Sequence, residues 1–135
     1  MSAFALDERL AADSVAVVEL PLCEVRLMDD ARWPWLLLVP RRPGLRELID
    51  LDAADRRALC EEVDRAAHAL HALFAPDKLN VATLGNVVEQ LHVHLVARYR
   101  DDAAWPLPVW GQGARIAYQD GERARRQAAL RGALA

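Results

Sequence analysis

At 135 residues the chain is long enough for one domain with a core of its own. The net charge of −3 excludes the basic footprint of a nucleic-acid binder, and the sixteen arginines among the seventeen cationic residues are scattered rather than clustered. The longest apolar run, Trp35 to Val39, is far too short to span a membrane. Cys23 and Cys60 lie far apart without CxxC pairing and no signal-type apolar run follows Met1, so free thiols in a reducing cytoplasm are expected.

In chain order, residues 6–13 read as a short helical turn and Ser14 to Met28 as extended chain interrupted at Pro21. Ala16, Val18 and Leu20 share one phase of its first half and Val15 and Val17 the other. In the second half Cys23, Val25 and Leu27 oppose Leu22, Glu24, Arg26 and Met28. Asp29-Asp30-Ala31 marks a turn, because Asp readily bonds its own nearby backbone. Trp35 to Val39 is apolar on both faces, as a central strand requires, and Pro40-Arg41-Arg42-Pro43-Gly44 ends it with the arginines capping the strand in solvent. A helix over residues 53–74 follows, with Asp52 as N-cap and Asp55 in the first turn. Leu59, Val63, Ala66, Leu70 and Leu73 make its buried stripe. Two more strands run from Lys78 to Leu84 and from Glu89 to Tyr99, joined through Gly85-Asn86. Beyond Trp105 the pattern is irregular, Trp105 and Trp110 reading as structural anchors, until the Ala/Arg-rich residues 121–133 form a terminal helix. Cys23 and Cys60 read as small buried hydrophobes, and Lys78, the only lysine, has no assignable role. Strands, one long helix, then strands indicate a single α+β domain over residues 1–135, built on an antiparallel sheet of about five strands.

Gln90-Leu91-His92-Val93-His94-Leu95-Val96 carries the chemistry. On a strand, Gln90, His92 and His94 share one face, and three polar groups on an otherwise apolar strand are costly unless partnered. Two histidines merely tolerated on a half-buried strand are one explanation. A second is a metal, since an HxH strand can offer two imidazoles to one zinc ion. Its further ligands are lacking: His68 falls roughly 180° and His71 about 120° from Leu59 around the helix, away from the sheet, and the cysteines form no ligand pair. The third is covalent or acid–base chemistry. Imidazole can attack phosphorus directly if its other ring nitrogen is held by an acceptor and donors surround the phosphoryl oxygens. Gly85, Asn86 and the neighbouring amides could supply those donors.

The run resembles the histidine triad (HIT) motif, His-φ-His-φ-His-φ-φ, with Gln90 at the first position. Asn80, the Gly85-Asn86 pair, and the Asp29-Asp30 turn leading into an apolar strand that ends Val39-Pro40-Arg41 match as well. The order and spacing are similar from about residue 14 to 111. In particular, the chain resembles a bacterial branch carrying Lys-Leu-Asn-Val-x-x-Leu-Gly-Asn-Val-Val-x-Gln-Leu-His-Val-His, with Trp-Pro-x-Pro-Val-Trp-Gly downstream. The resemblance implies a HIT-like fold, a homodimer with its two sheets side by side, and a small-molecule nucleotide substrate with no cofactor or metal.

By that resemblance His92 is the nucleophile toward the α-phosphorus of a nucleoside phosphoramidate or dinucleoside polyphosphate, and His94 contacts the phosphate and leaving group. Asn80, Gly85 and Asn86 surround phosphate, Asn86 with a shorter reach than the glutamine more frequent there. Asp29 or Asp30 binds the ribose, and Leu27, Trp33 and Leu38 border the base. The segment around Trp105 and Trp110 is placed to reach a neighbouring subunit's site. The departure is Gln90, expected on the substrate face, whose amide can neither act as a base nor carry charge. A competing expectation is a nucleotide-binding regulatory module with weak or no catalysis.

Overall fold

In the computed structural model, which describes residues 3–135, a five-stranded antiparallel sheet runs in the order β1-β2-β3-β5-β4. Its strands are β1 (Ser14–Glu19), β2 (Cys23–Met28), β3 (Trp35–Pro40), β4 (Lys78–Ala82) and β5 (Val93–Arg98). Three helices accompany it: α1 (Glu8–Asp13), α2 (Ala53–Phe74) and α3 (Glu122–Leu134). This is the expected α+β architecture, with β3 central and every one of its residues buried.

Strand alternation divides the interior in two. Val25, Leu27, Leu36, Leu38, Val93 and Leu95 face α2 and α3, packing on Leu59, Ala66, Leu70, Leu130 and Leu134. The opposite phase sends Trp35, Leu37, Val39 and Val96 into a second core, closed by Leu10 of α1, Trp33, Ala104 and Val109. His94 pairs with Leu37 and with Ala82 across the ladders, so it belongs to this second face, turned away from α2.

α2 begins where expected: the Asp52 carboxylate accepts from the Asp55 N–H at 2.8 Å. Its buried side, however, is Leu59, Glu62, Ala66, Ala69 and Leu70, while Leu73 is exposed. The rotation admits Glu62, whose two carboxylate oxygens accept from the backbone N–H groups of Leu22 (2.9 Å) and Cys23 (2.7 Å) and so close the β1–β2 turn. Burial first, and then the adjacent Glu62 carboxylate, push the Cys23 thiol far up. Cys60, by contrast, is exposed on α2 and is not a core residue.

Two strand readings change. The β1–β2 register shifts between Ala16 and Val18, so Val17 and Leu20, which strict alternation puts in opposite phases, are both buried while Ala16 is exposed. β4 stops at Ala82 and β5 starts only at Val93: the ladder with β3 ends at the Leu38–Val93 pair and that with β4 at the Ala82–His94 pair. There the Leu91 N–H donates instead to the Leu45 carbonyl. Among the described residues no helix is long and apolar enough to cross a membrane.

Candidate active site

The second face of the sheet opens into a cavity of ≈ 510 Å³. His92, His94 and Trp35 form its floor, the loop Leu84–Val88 one side, Trp110 another, and Arg9, Leu10 and Asp13 of α1 together with Met28 the rest. Gly85 has φ +80°, a conformation side chains disfavour, and this turns the loop so that Gly85 and Asn86 line the cavity beside His92. A second cavity of ≈ 340 Å³ shares Asp13, Met28, Trp35 and Trp110 with the first and extends past Asp29, Asp30, Gly111 and Arg115.

The two imidazoles lie with ring centroids 4.8 Å apart and are both almost wholly buried. Their partners dictate opposite tautomers. His92 Nδ1 lies 2.6 Å from the Gln90 carbonyl oxygen; a carbonyl only accepts, so Nδ1 carries a proton and the neutral ring has its lone pair on Nε2. Trp35 Nε1 donates to His94 Nδ1 at 3.0 Å; an indole N–H only donates, so His94 Nδ1 is bare and its proton sits on Nε2. Burial, reinforced by the neighbouring His92, holds the His94 pKa down to about 3, so the ring is neutral at physiological pH. Trp110 stands edge-on to His94 at 5.1 Å and to Trp35 at 6.1 Å, fixing both rings. One face thus offers a nucleophilic nitrogen beside a hydrogen-bond donor, within a largely apolar recess where both act strongly.

The HIT domain family model matches residues 9–101 of the chain. The chain belongs to the HIT family. A histidine triad protein from Bradyrhizobium japonicum is 46% identical and superposes with a TM-score of 0.96 over 99% of this chain and 100% of that one. One from Marinobacter aquaeolei VT8 is 44% identical, with a TM-score of 0.95 over 98% and 97%. A third, from Sinorhizobium meliloti 1021, is 41% identical, with a TM-score of 0.93 over 97% of each. No curated protein matches the chain.

Several residues expected at the HIT site are engaged elsewhere. Gln90 does not face the cavity: its Oε1 accepts from the Asp7 N–H and its Nε2 donates to the Ala5 carbonyl, both at 2.8 Å. The strand that would have aligned it with His92 and His94 begins only at Val93. Asn80 lines none of the cavities described; its Oδ1 accepts from Arg98 Nη1 at 2.8 Å. Arg98, almost fully buried, also pairs with Asp102, whose carboxylate accepts from the N–H groups of Tyr99, Ala104 and Trp105. This network shapes the loop leading to Trp110. Burial opposes the charge on Asp102, but the Arg98 guanidinium and the three backbone donors outweigh it and hold the carboxyl far below its usual range.

Asp30 is likewise occupied, buried in a two-pronged pair with Arg32 (3.0 and 2.8 Å) and accepting from the Ile116 N–H at 3.4 Å. Asp29 is more open, 3.3 Å from Arg123 and 3.9 Å from Arg115 at the second cavity. Leu27 and Leu38 do not border the site, since strand parity turns both toward α2, and Trp33 is fully buried beside Arg32. Met28, Leu10, Leu84, Val87 and Val88 provide the apolar walls instead. Trp110 is more than an anchor, because it lines this chain's own cavity. His68 and His71 are exposed on α2, and among the described residues no three His, Cys, Asp or Glu side chains are grouped to hold a metal ion.

Sequence reasoning missed Trp35 and α1 as site elements. A tryptophan opening an apolar strand gives no sign of pairing with a histidine 59 positions on. Arg9 and Asp13 carry no motif at all.

Proposed function

We propose that the protein is a nucleotide hydrolase or transferase acting at the α-phosphorus of a nucleoside phosphoramidate or dinucleoside polyphosphate through a nucleotidyl-histidine. The observation that carries this reading is the pair of opposed tautomers at His92 and His94. The His92 Nε2 lone pair forms an N–P bond while the bond from phosphorus to the leaving group breaks, the electron pair departing with that group. Water then attacks phosphorus, the N–P bond breaks back onto Nε2, and a water proton passes to solvent. His94 Nε2–H, Asn86 and the amides of the loop from Gly85 to Val88 stabilise charge on the phosphoryl oxygens. Asp29, the freer of the two turn carboxylates, takes the ribose hydroxyls in the second cavity.

The protein is further proposed to act in the cytoplasm as a homodimer. Its two free thiols support the first point. The second is supported by the open edge of β4 and by exposed Val81 on that strand with Leu48 beside it.

The test incubates adenosine phosphoramidate and diadenosine tetraphosphate with the protein and with His92→Ala, with and without chelator. AMP release that survives chelation and disappears in the variant is the expected result. Tight AMP binding with turnover of neither compound would replace the enzyme with a binding module, and loss of activity on chelation would point to a metal.

A further inference from the structure

The amide that stands where a third imidazole was expected has another task. The Ala5 carbonyl and the Asp7 N–H flank Leu6 on one side of the chain, and the Gln90 amide meets both, as a residue of a parallel strand would. Because the carbonyl can only accept and the N–H only donate, the orientation of the amide is fixed. Asp7 is in turn the N-cap of α1, its carboxylate accepting from the Arg9 N–H at 2.8 Å. At the other end of α1, Arg26 donates to the Ser14 carbonyl (3.0 Å) and Ser14 Oγ (2.7 Å). Phe4, Leu6 and Leu10 lie against the second core. The N-terminal segment is therefore a fitted wall of the site, tied at both ends, and Gln90 is the tie nearest the histidines.

That wall brings Arg9 to the cavity. Arg9 is the one Lys or Arg among the described residues lining the cavity that holds His92 and His94, and its guanidinium has no hydrogen bond or ion pair with any described residue. Asp13, four positions on, lies where the two cavities meet and is not paired with it. A free guanidinium beside a phosphate-handling imidazole pair suits an anionic group. His94 points the same way. With Trp35 donating to its Nδ1, its only proton is on Nε2, and surrendering that proton would leave an imidazolate. An amine leaving group finds no acid in His94, whereas a phosphate leaving group needs none.

We propose that Gln90 is a positioning residue: by latching residues 5–7 it seats α1 and places Arg9 to read the negative charge of the leaving group, favouring phosphate over amine. This rests on the nucleotidyl-histidine reading above. The test measures kcat/KM for diadenosine tetraphosphate and adenosine phosphoramidate with the wild type, Arg9→Gln, Gln90→Met and the double variant. Arg9→Gln is expected to lower the ratio of the two values about tenfold, the scale of one lost charge-assisted hydrogen bond. Gln90→Met, close in volume but unable to latch, lowers the same ratio, and the double variant falls no further than Arg9→Gln alone. Amide exchange at residues 5–9 speeds up in Gln90→Met and not in Arg9→Gln. Equal losses on both substrates, or additive effects in the double variant, overturn this inference and leave the nucleotidyl-histidine reading standing. Turnover of neither substrate by the wild type overturns both.

Discussion

Replacing His94 by Asn converts the buried imidazole into a measurable dependence of stability on pH. Asn can still accept from Trp35 Nε1 where Nδ1 did, but it cannot titrate. In the folded wild type burial and His92 hold the His94 pKa down to about 3, against 6.5 for an exposed ring. Below pH 6.5 the unfolded chain takes up a proton that the folded chain refuses, so the unfolded state binds more protons and stability falls with pH until about 3. At ~1.4 kcal/mol per pH unit, the wild type loses roughly 2.5 kcal/mol through this group between pH 7 and 4.5, and His94→Asn loses none of it. Asp30 and Asp102, whose carboxyls are held below their usual range, also cost stability in acid, but they do so in both proteins. Urea denaturation of each protein at the two pH values gives the difference directly. The replacement destabilises at pH 7, and the gap between the proteins should narrow by roughly 2.5 kcal/mol at pH 4.5. Parallel stability curves for the two proteins would refute a neutral, buried His94 and the tautomer argument with it.

Three further changes probe the surrounding architecture. Trp35→Phe keeps an aromatic ring against His94 but removes the indole donor; the 15N spectrum of His94 should then show both neutral tautomers, and kcat/KM should fall about tenfold. Glu62→Ala leaves the Leu22 and Cys23 N–H groups buried without an acceptor. It should cost about 3 kcal/mol in urea denaturation, with Glu62→Gln costing less because one acceptor survives. Asp102→Ala strands the Arg98 guanidinium in the interior and should cost about 3–5 kcal/mol in thermal denaturation, with faster amide exchange from Tyr99 to Trp105.

Local rules carried the sequence reading far. The period of apolar residues and the Asp52 cap placed α2 at residues 53–74, and the doubly apolar run from Trp35 placed the central strand, because both signals arise within one element. The family was legible for a similar reason: His92, His94, Gly85 and Asn86 lie within ten residues of one another, so their chemistry and spacing appear together.

What the sequence could not determine depends on partners distant in the chain. Asn80 reads as a phosphate ligand, and its bond to Arg98, 18 positions on, leaves no local trace; Asp30 reads as a ribose ligand, and its bond to the Ile116 N–H, 86 positions on, leaves none either. Gln90 looked like a defective triad position, yet its amide ties down residues 5–7, 83 to 85 positions away. The sequence by itself determined which atoms could attack and donate, since that is a property of residue type. Only the tertiary structure decided which ring nitrogen of each histidine carries the proton, because a neutral imidazole can place it on either one. The Gln90 carbonyl and the Trp35 indole make that choice.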